Sequence, residues 1–175
     1  MDTPQSSPRA AGLYGNESFK LIFDYEVERA RRYPSPLTVL HLAAEIPDPS
    51  PKVKAEAYDV VAEILHRSLR VSDVSTQFDE EFLVLLPATD VTGGRAVAER
   101  VLAEFKNRAE FTEGRELEMT LYVGFASRYV ENKTAAEQLL AEAAVAMNEA
   151  RVKKSHNYVA FVDISKDVPK PSQTK

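Results

Sequence analysis

Eight consecutive residues, Leu37-Thr38-Val39-Leu40-His41-Leu42-Ala43-Ala44, constrain the fold of this chain more than any others. The run is apolar apart from Thr38 and His41. It is fenced by Pro34 and Pro36 on one side and Pro47 on the other. A short apolar run bounded by prolines reads as a strand. With no polar alternation it belongs at the centre of a sheet, buried on both faces. Such a strand needs covering layers, and the flanking sequence has to supply them.

It supplies helices. Phe19, Ile22, Phe23, Val27 and Ala30 recur at helical spacing, with Asn16 placed to cap a helix beginning near Glu17 and Pro34 placed to stop it. Pro47, Pro49 and Pro51 mark a loop. A second helix is expected over about residues 53–70, with Ala57, Val60, Val61, Ile64, Leu65 and Leu69 on its apolar side. Val74 to Phe78 and Phe82 to Leu86 read as two short strands around an acidic turn. A helix then starts near Thr92 and carries Val97, Val101, Leu102 and Phe105. Leu117 to Ala126 is the next strand. Thr134 is placed to cap a helix through Leu139, Leu140, Ala143 and Met147, and Tyr158 to Val162 closes the order as a last strand. The order α-β-α-β-β-α-β-α-β predicts a mostly antiparallel central sheet with helices against its faces, an α+β fold.

The rest of the composition narrows function. A chain of 175 residues, 44% hydrophobic, suits one domain with a sizeable core. It has no Cys, which excludes disulfides, thiolate nucleophiles and cysteine zinc sites. No apolar run approaches the ~20 residues of a membrane span. The start, Met1 to Pro8, has neither the basic nor the apolar region of a secretory signal, so a cytoplasmic location is expected and membrane insertion is not. A net charge of −5 argues against a global field for nucleic acid, though a local basic pocket for one anionic nucleotide remains open. Residues 1–12 are expected to be disordered, 13–163 to form the domain, and 164–175 to be a flexible tail.

Several stretches, in order, carry a family resemblance. Gly12-Leu13-Tyr14 is followed by Ala30-Arg31-Arg32-Tyr33 and Pro36-Leu37-Thr38-Val39. Arg67 to Asp73 precedes Gln77-Phe78-Asp79-Glu80-Glu81-Phe82 and Leu83-Val84-Leu85-Leu86-Pro87. Met119 to Ala126 and Asn157-Tyr158-Val159 complete the series. Together they resemble a GGDEF domain, the catalytic domain of diguanylate cyclases, in degenerate form. The resemblance implies a palm-type, nucleotide-cyclase-like sheet of about five strands flanked by helices, and bacterial signal transduction through cyclic di-GMP.

The residues that carry the family's chemistry are mostly altered. That chemistry joins two GTP molecules with divalent metal help. Where the family has a D-x-D metal pattern, this chain has Ala43-Ala44-Glu45. Ala43 replaces the first ligand. Glu45 matches the second and is expected to point away from the face the first one uses. Glu80 and Glu81 match the hairpin acids, which retains one ligand position, but hard cations want several oxygen ligands. Asp79 stands in place of a hairpin glycine and puts a side chain and a negative charge where a triphosphate would lie. The guanine-reading segment is replaced by Ile46-Pro47-Asp48-Pro49-Ser50-Pro51-Lys52. Arg151 stands where the family has a phosphate-binding lysine. No cofactor or bound metal is implied, and the chain is expected to be a pseudoenzyme.

One family feature is retained. Arg70-x-x-Asp73 matches the RxxD pattern at which such domains bind cyclic di-GMP, five residues ahead of the acidic turn. A guanidinium can fork onto a phosphate or a guanine edge, and an Asp can accept from guanine N1 and N2. The bland alternative is an arginine at a helix C-terminus with Asp73 closing the turn. His41 reads as a core histidine with no acid placed beside it, and His66 and His156 read as surface residues. Gly93-Gly94 lacks a following G-K-[ST] and reads as a helix start. Lys153 and Lys154, with Arg151, form a small basic cluster. Three functions stay open: a cyclic di-GMP receptor, a protein-interaction module that binds no nucleotide, and a residual GTP-binding or cyclase domain.

Overall fold

The structure, a computed structural model, describes residues 12–48, 50–108, 119–153 and 159–161. The elements follow the expected order: α1 (Asn16–Arg32), β1 (Pro36–Glu45), α2 (Pro51–Ser68), β2 (Val74–Phe78), β3 (Glu81–Leu86), α3 (Val91–Arg108), β4 (Thr120–Tyr129), α4 (Lys133–Val152) and β5 (Val159–Phe161). The apolar run forms β1, and β1 is the middle strand of the sheet order β2-β3-β1-β4-β5. Every pairing is antiparallel except β4 with β5.

Strand alternation sorts β1 between two layers. Leu40 and Leu42 join Phe82, Val84 and Phe125 under α2 and α3, whose Ile64, Leu65, Val101 and Phe105 fill that side. Leu37 and Val39 point the other way, against Phe19, Phe23 and Val27 of α1 and Leu139 and Ala143 of α4. The buried hydroxyl of Thr38 donates to the Thr89 carbonyl at 2.7 Å, so the one hydroxyl in the run is paired. α4 lies unusually close to β4. A Cβ on Gly124 would fall 2.0 Å from the Met147 backbone nitrogen, so only glycine permits that approach.

Several boundaries differ from the sequence expectation, each for a local reason. Gly15, not Asn16, occupies the N-cap of α1. The Asn16 side chain instead lies 2.8 Å from the Thr76 hydroxyl and ties the helix start to β2. Pro51 is not loop but the first residue of α2, where a missing N–H costs nothing, and Ser50 caps that helix by accepting from the Val53 N–H. α3 begins at Val91, with Asp90 accepting from the Gly93 N–H at 2.9 Å. Asn132 rather than Thr134 caps α4, accepting from the Ala135 N–H at 2.8 Å. β4 runs on to Tyr129, three residues past the expected end. Leu117, Lys154, His156, Asn157, Tyr158, Val162 and the two expected terminal segments apart from Gly12 lie outside the described residues. Among those that are described, no helix is long and apolar enough to cross a membrane.

Candidate functional site

The β2–β3 hairpin turns through two residues, Asp79 and Glu80, between the paired Phe78 and Glu81. Asp79 takes a left-handed backbone with φ of 52°. That conformation favours glycine, and Asp tolerates it better than most residues. The Gln77 amide donates to the Asp79 carbonyl at 3.1 Å and helps hold the turn. The acidic turn therefore folds without the glycine.

The two hairpin acids are drawn to opposite sides of the sheet. Glu80 goes toward α2, where Lys54 Nζ donates to its Oε1 at 2.5 Å. This hydrogen bond and the Lys54 charge hold the Glu80 carboxyl below the usual carboxylate range. The same bond raises the Lys54 ammonium above its ordinary value. Burial, and then the Glu80 charge, raise the nearby Tyr58 phenol. Glu81 goes to the other face. Its Oε2 lies 2.5 Å from His41 Nε2, and its Oε1 accepts from Arg151 Nη2 at 3.2 Å. An ionised carboxylate only accepts, so Nε2 is the donor. His41 Nδ1 is buried and has no hydrogen-bond partner among the described residues.

His41 thus has an acid beside it, contrary to the sequence expectation. Its register partner on β3 is Leu83, which makes Glu81 its diagonal neighbour on the same face. The position of Glu45 is a second correction. Residues two apart on a strand share a face, so Glu45 lies on the side of Ala43, not opposite it. Tyr122, the register partner of Ala43 on β4, donates its hydroxyl to Glu45 Oε2 at 3.1 Å. Burial and that hydrogen bond push the Tyr122 phenol up. Ala43 itself is buried in a cluster with Tyr122, Ala146, Met147 and Ala150.

The donor set does not suit a divalent metal. Ala43 is buried and offers no oxygen, Glu81 is engaged by an imidazole and a guanidinium, and Glu80 turns away to Lys54. Among the described residues no three acids or imidazoles converge into a cation site. Lys54 and His41 are the members that sequence reasoning misses. The signal for His41 is its phase along β1, two and four residues ahead of Ala43 and Glu45.

Arg70 and Asp73 sit at the far end of α2 in a tight turn. The Arg70 N–H donates to Asp73 Oδ2 at 2.8 Å, and the Asp73 N–H donates to the Arg70 carbonyl at 3.0 Å. Asp73 therefore closes the turn, as the bland alternative requires. The Arg70 side chain is exposed, and no described residue pairs with its guanidinium. Two grooves flank the turn. One of about 240 Å³ is lined by Pro36, Leu86, Thr89, Asp90 and Gly93. The other, of about 480 Å³, is lined by Gly12, Leu13, Tyr14, His66, Leu69 and Val71. Gly93 and Gly94 fall in the first turn of α3, the helix start that was expected.

The family model described as "Diguanylate cyclase, GGDEF domain" matches residues 56–157. The diguanylate cyclase SiaD of Pseudomonas aeruginosa, solved with its activator SiaC, is 21% identical with a TM-score of 0.73, over 89% of this chain and 61% of that one. The chain thus spans less than two thirds of SiaD. The GGDEF domain of DgcB from Caulobacter crescentus, solved with cyclic di-GMP, is 15% identical with a TM-score of 0.72, covering 92% of this chain and 98% of that one. The GGDEF domain of FimX from Pseudomonas aeruginosa is 18% identical with a TM-score of 0.72, covering 90% and 99%. No curated protein matches the chain. At these identities the solved structures speak for the fold.

Proposed function

Because the chain belongs to the GGDEF domain family, its function turns on which of that family's sites its own residues can serve, and we propose that it is a non-catalytic member that acts by binding cyclic di-GMP at Arg70 and Asp73. One contrast carries the reading. Each hairpin carboxylate is engaged by a cation of the chain itself, Glu80 by Lys54 and Glu81 by Arg151 together with His41. The Arg70 guanidinium, by comparison, faces solvent beside two grooves. A catalytic metal would have to displace Arg151 and His41 from Glu81 and would then find Ala43 where a second oxygen is needed. A phosphodiester at Arg70 displaces nothing but water. Asp73 holds the turn with one oxygen and leaves the other free to accept from a guanine edge. The cyclic di-GMP complex of the similar DgcB domain adds support.

The test is calorimetric titration with cyclic di-GMP, and separately with GTP and Mg²⁺. Binding of cyclic di-GMP that disappears in Arg70→Ala, with no product formed from GTP, is the expected result. Steady conversion of GTP to cyclic di-GMP would refute the non-catalytic half, and heat that survives Arg70→Ala would refute the site.

A second reading has its own observation. Leu21 and Tyr25 stand one helical turn apart on α1, 71% and 65% exposed. Adjacent large apolar side chains in water are the kind of feature a protein partner covers. If neither nucleotide binds, a protein-interaction module is the function that remains, and Leu21→Glu is the variant that should abolish capture of its partner.

A further inference from the structure

Resting on the assignment of Arg70 and Asp73 as a cyclic di-GMP site, we propose that the larger of the two adjoining grooves holds a guanine base of the ligand, with Tyr14 and His66 as its specificity contacts. A cyclic guanine dinucleotide presents two anionic phosphodiesters and two flat bases. Its site needs a cation, flat faces to stack on, and few competing carboxylates.

The smaller groove fits this poorly. Asp73 and Asp90 both line it, against the single charge of Arg70. The larger groove has Asp73 as its one carboxylate lining residue, and adds an imidazole, a phenol and the apolar Leu69 and Val71. Its volume, about 480 Å³, lies within the roughly 300–1,000 Å³ usual for small-molecule sites.

The backbone that carries each ring is also held in place. The Tyr14 N–H donates to the Ser75 carbonyl at 2.8 Å, and the Tyr14 carbonyl lies 2.8 Å from the Thr76 hydroxyl. Both contacts fix the backbone against the edge of β2 and leave Tyr14 45% exposed. His66 is on the last turn of α2, and it lines the same groove as Arg70. Gly12, with φ of 97°, brings the incoming chain against that imidazole, since a Cβ there would lie 3.1 Å from His66 Nδ1. A base entering between Tyr14 and His66 meets surfaces that need little reordering, which is where binding gains affinity.

The experiment is an NMR titration of the whole chain with cyclic di-GMP, together with Tyr14→Ala and His66→Ala. Expected are shifts at Tyr14, His66 and Val71, and an affinity about tenfold weaker in each variant, with an unchanged unfolding midpoint. Shifts at Thr89 and Gly93 instead, with both variants binding as tightly as the parent, overturn this assignment while leaving Arg70 as the anchor. No shifts anywhere overturn it together with the receptor reading.

Discussion

His41 Nε2 and Glu81 Oε2 lie 2.5 Å apart, joined diagonally between β1 and β3. The imidazole is well covered, and the carboxylate is about a third exposed. The strands supply this contact without help from any loop, so it is a built-in part of the sheet. It also engages one of the two hairpin carboxylates.

His41→Ala is therefore expected to destabilise the fold by about 2 kcal/mol, the usual worth of a hydrogen bond to a charged group. Urea denaturation checks this. Arg151→Ala, which breaks a more exposed contact at 3.2 Å, should cost less than half as much. Equal losses from the two variants would mean that burial does not set the strength of the cluster.

The bond from Lys54 holds the Glu80 carboxyl below its ordinary value of 4.5. A depressed folded-state value stabilises the folded chain above the unfolded-state value, and that contribution disappears as pH falls through the folded one. The window thus lies below about pH 4.5. Lys54→Met should return the Glu80 titration to the ordinary range in a side-chain NMR experiment. Both groups are exposed, so the accompanying change in acid stability should be small.

Asp79→Gly should stabilise the hairpin modestly, by about 0.5 kcal/mol. Glycine removes the Cβ conflict at a φ of 52°, although its freer unfolded chain takes some of the gain back. Thermal unfolding measures it. Restoring this glycine should leave GTP unconverted, because Ala43 and the Lys54–Glu80 pair are untouched.

Gly124→Ala should be severe. The new methyl would meet the Met147 backbone nitrogen at 2.0 Å, and backbone in the middle of a helix cannot yield cheaply. A loss of about 3 kcal/mol or more is expected, with α4 displaced from the sheet. Amide exchange along α4 reads the displacement directly.

Much of the architecture is legible in the sequence, and the exceptions have physical causes. The proline-fenced run marks the central strand, and periodicity orders the helices around it. Caps are harder to read, because neighbouring side chains compete for the same role. Asn132 stands two residues before Thr134, and Asn16 is diverted to Thr76. Pro51 marks a loop or a helix start equally well, and Ser50 decides which. The face of Glu45 follows from strand period alone once applied two residues on from Ala43. The His41–Glu81 contact needs the register of β1 against β3, which appears only when the sheet is assembled. Exposure of the Arg70 side chain is likewise a tertiary fact that RxxD spacing does not encode.

Ala43 is 2% exposed among Tyr122, Ala146, Met147 and Ala150. A carboxylate placed at that position would have no room and little water, so the neighbouring helix would have to recede before it could ionise. Evolution proceeds by single tolerable steps, and this step passes through a protein less stable than its parent. Packing thus sets a barrier against an acid at this position. Descendants of this chain should vary at its exposed surfaces more readily than they acquire an acid in the core.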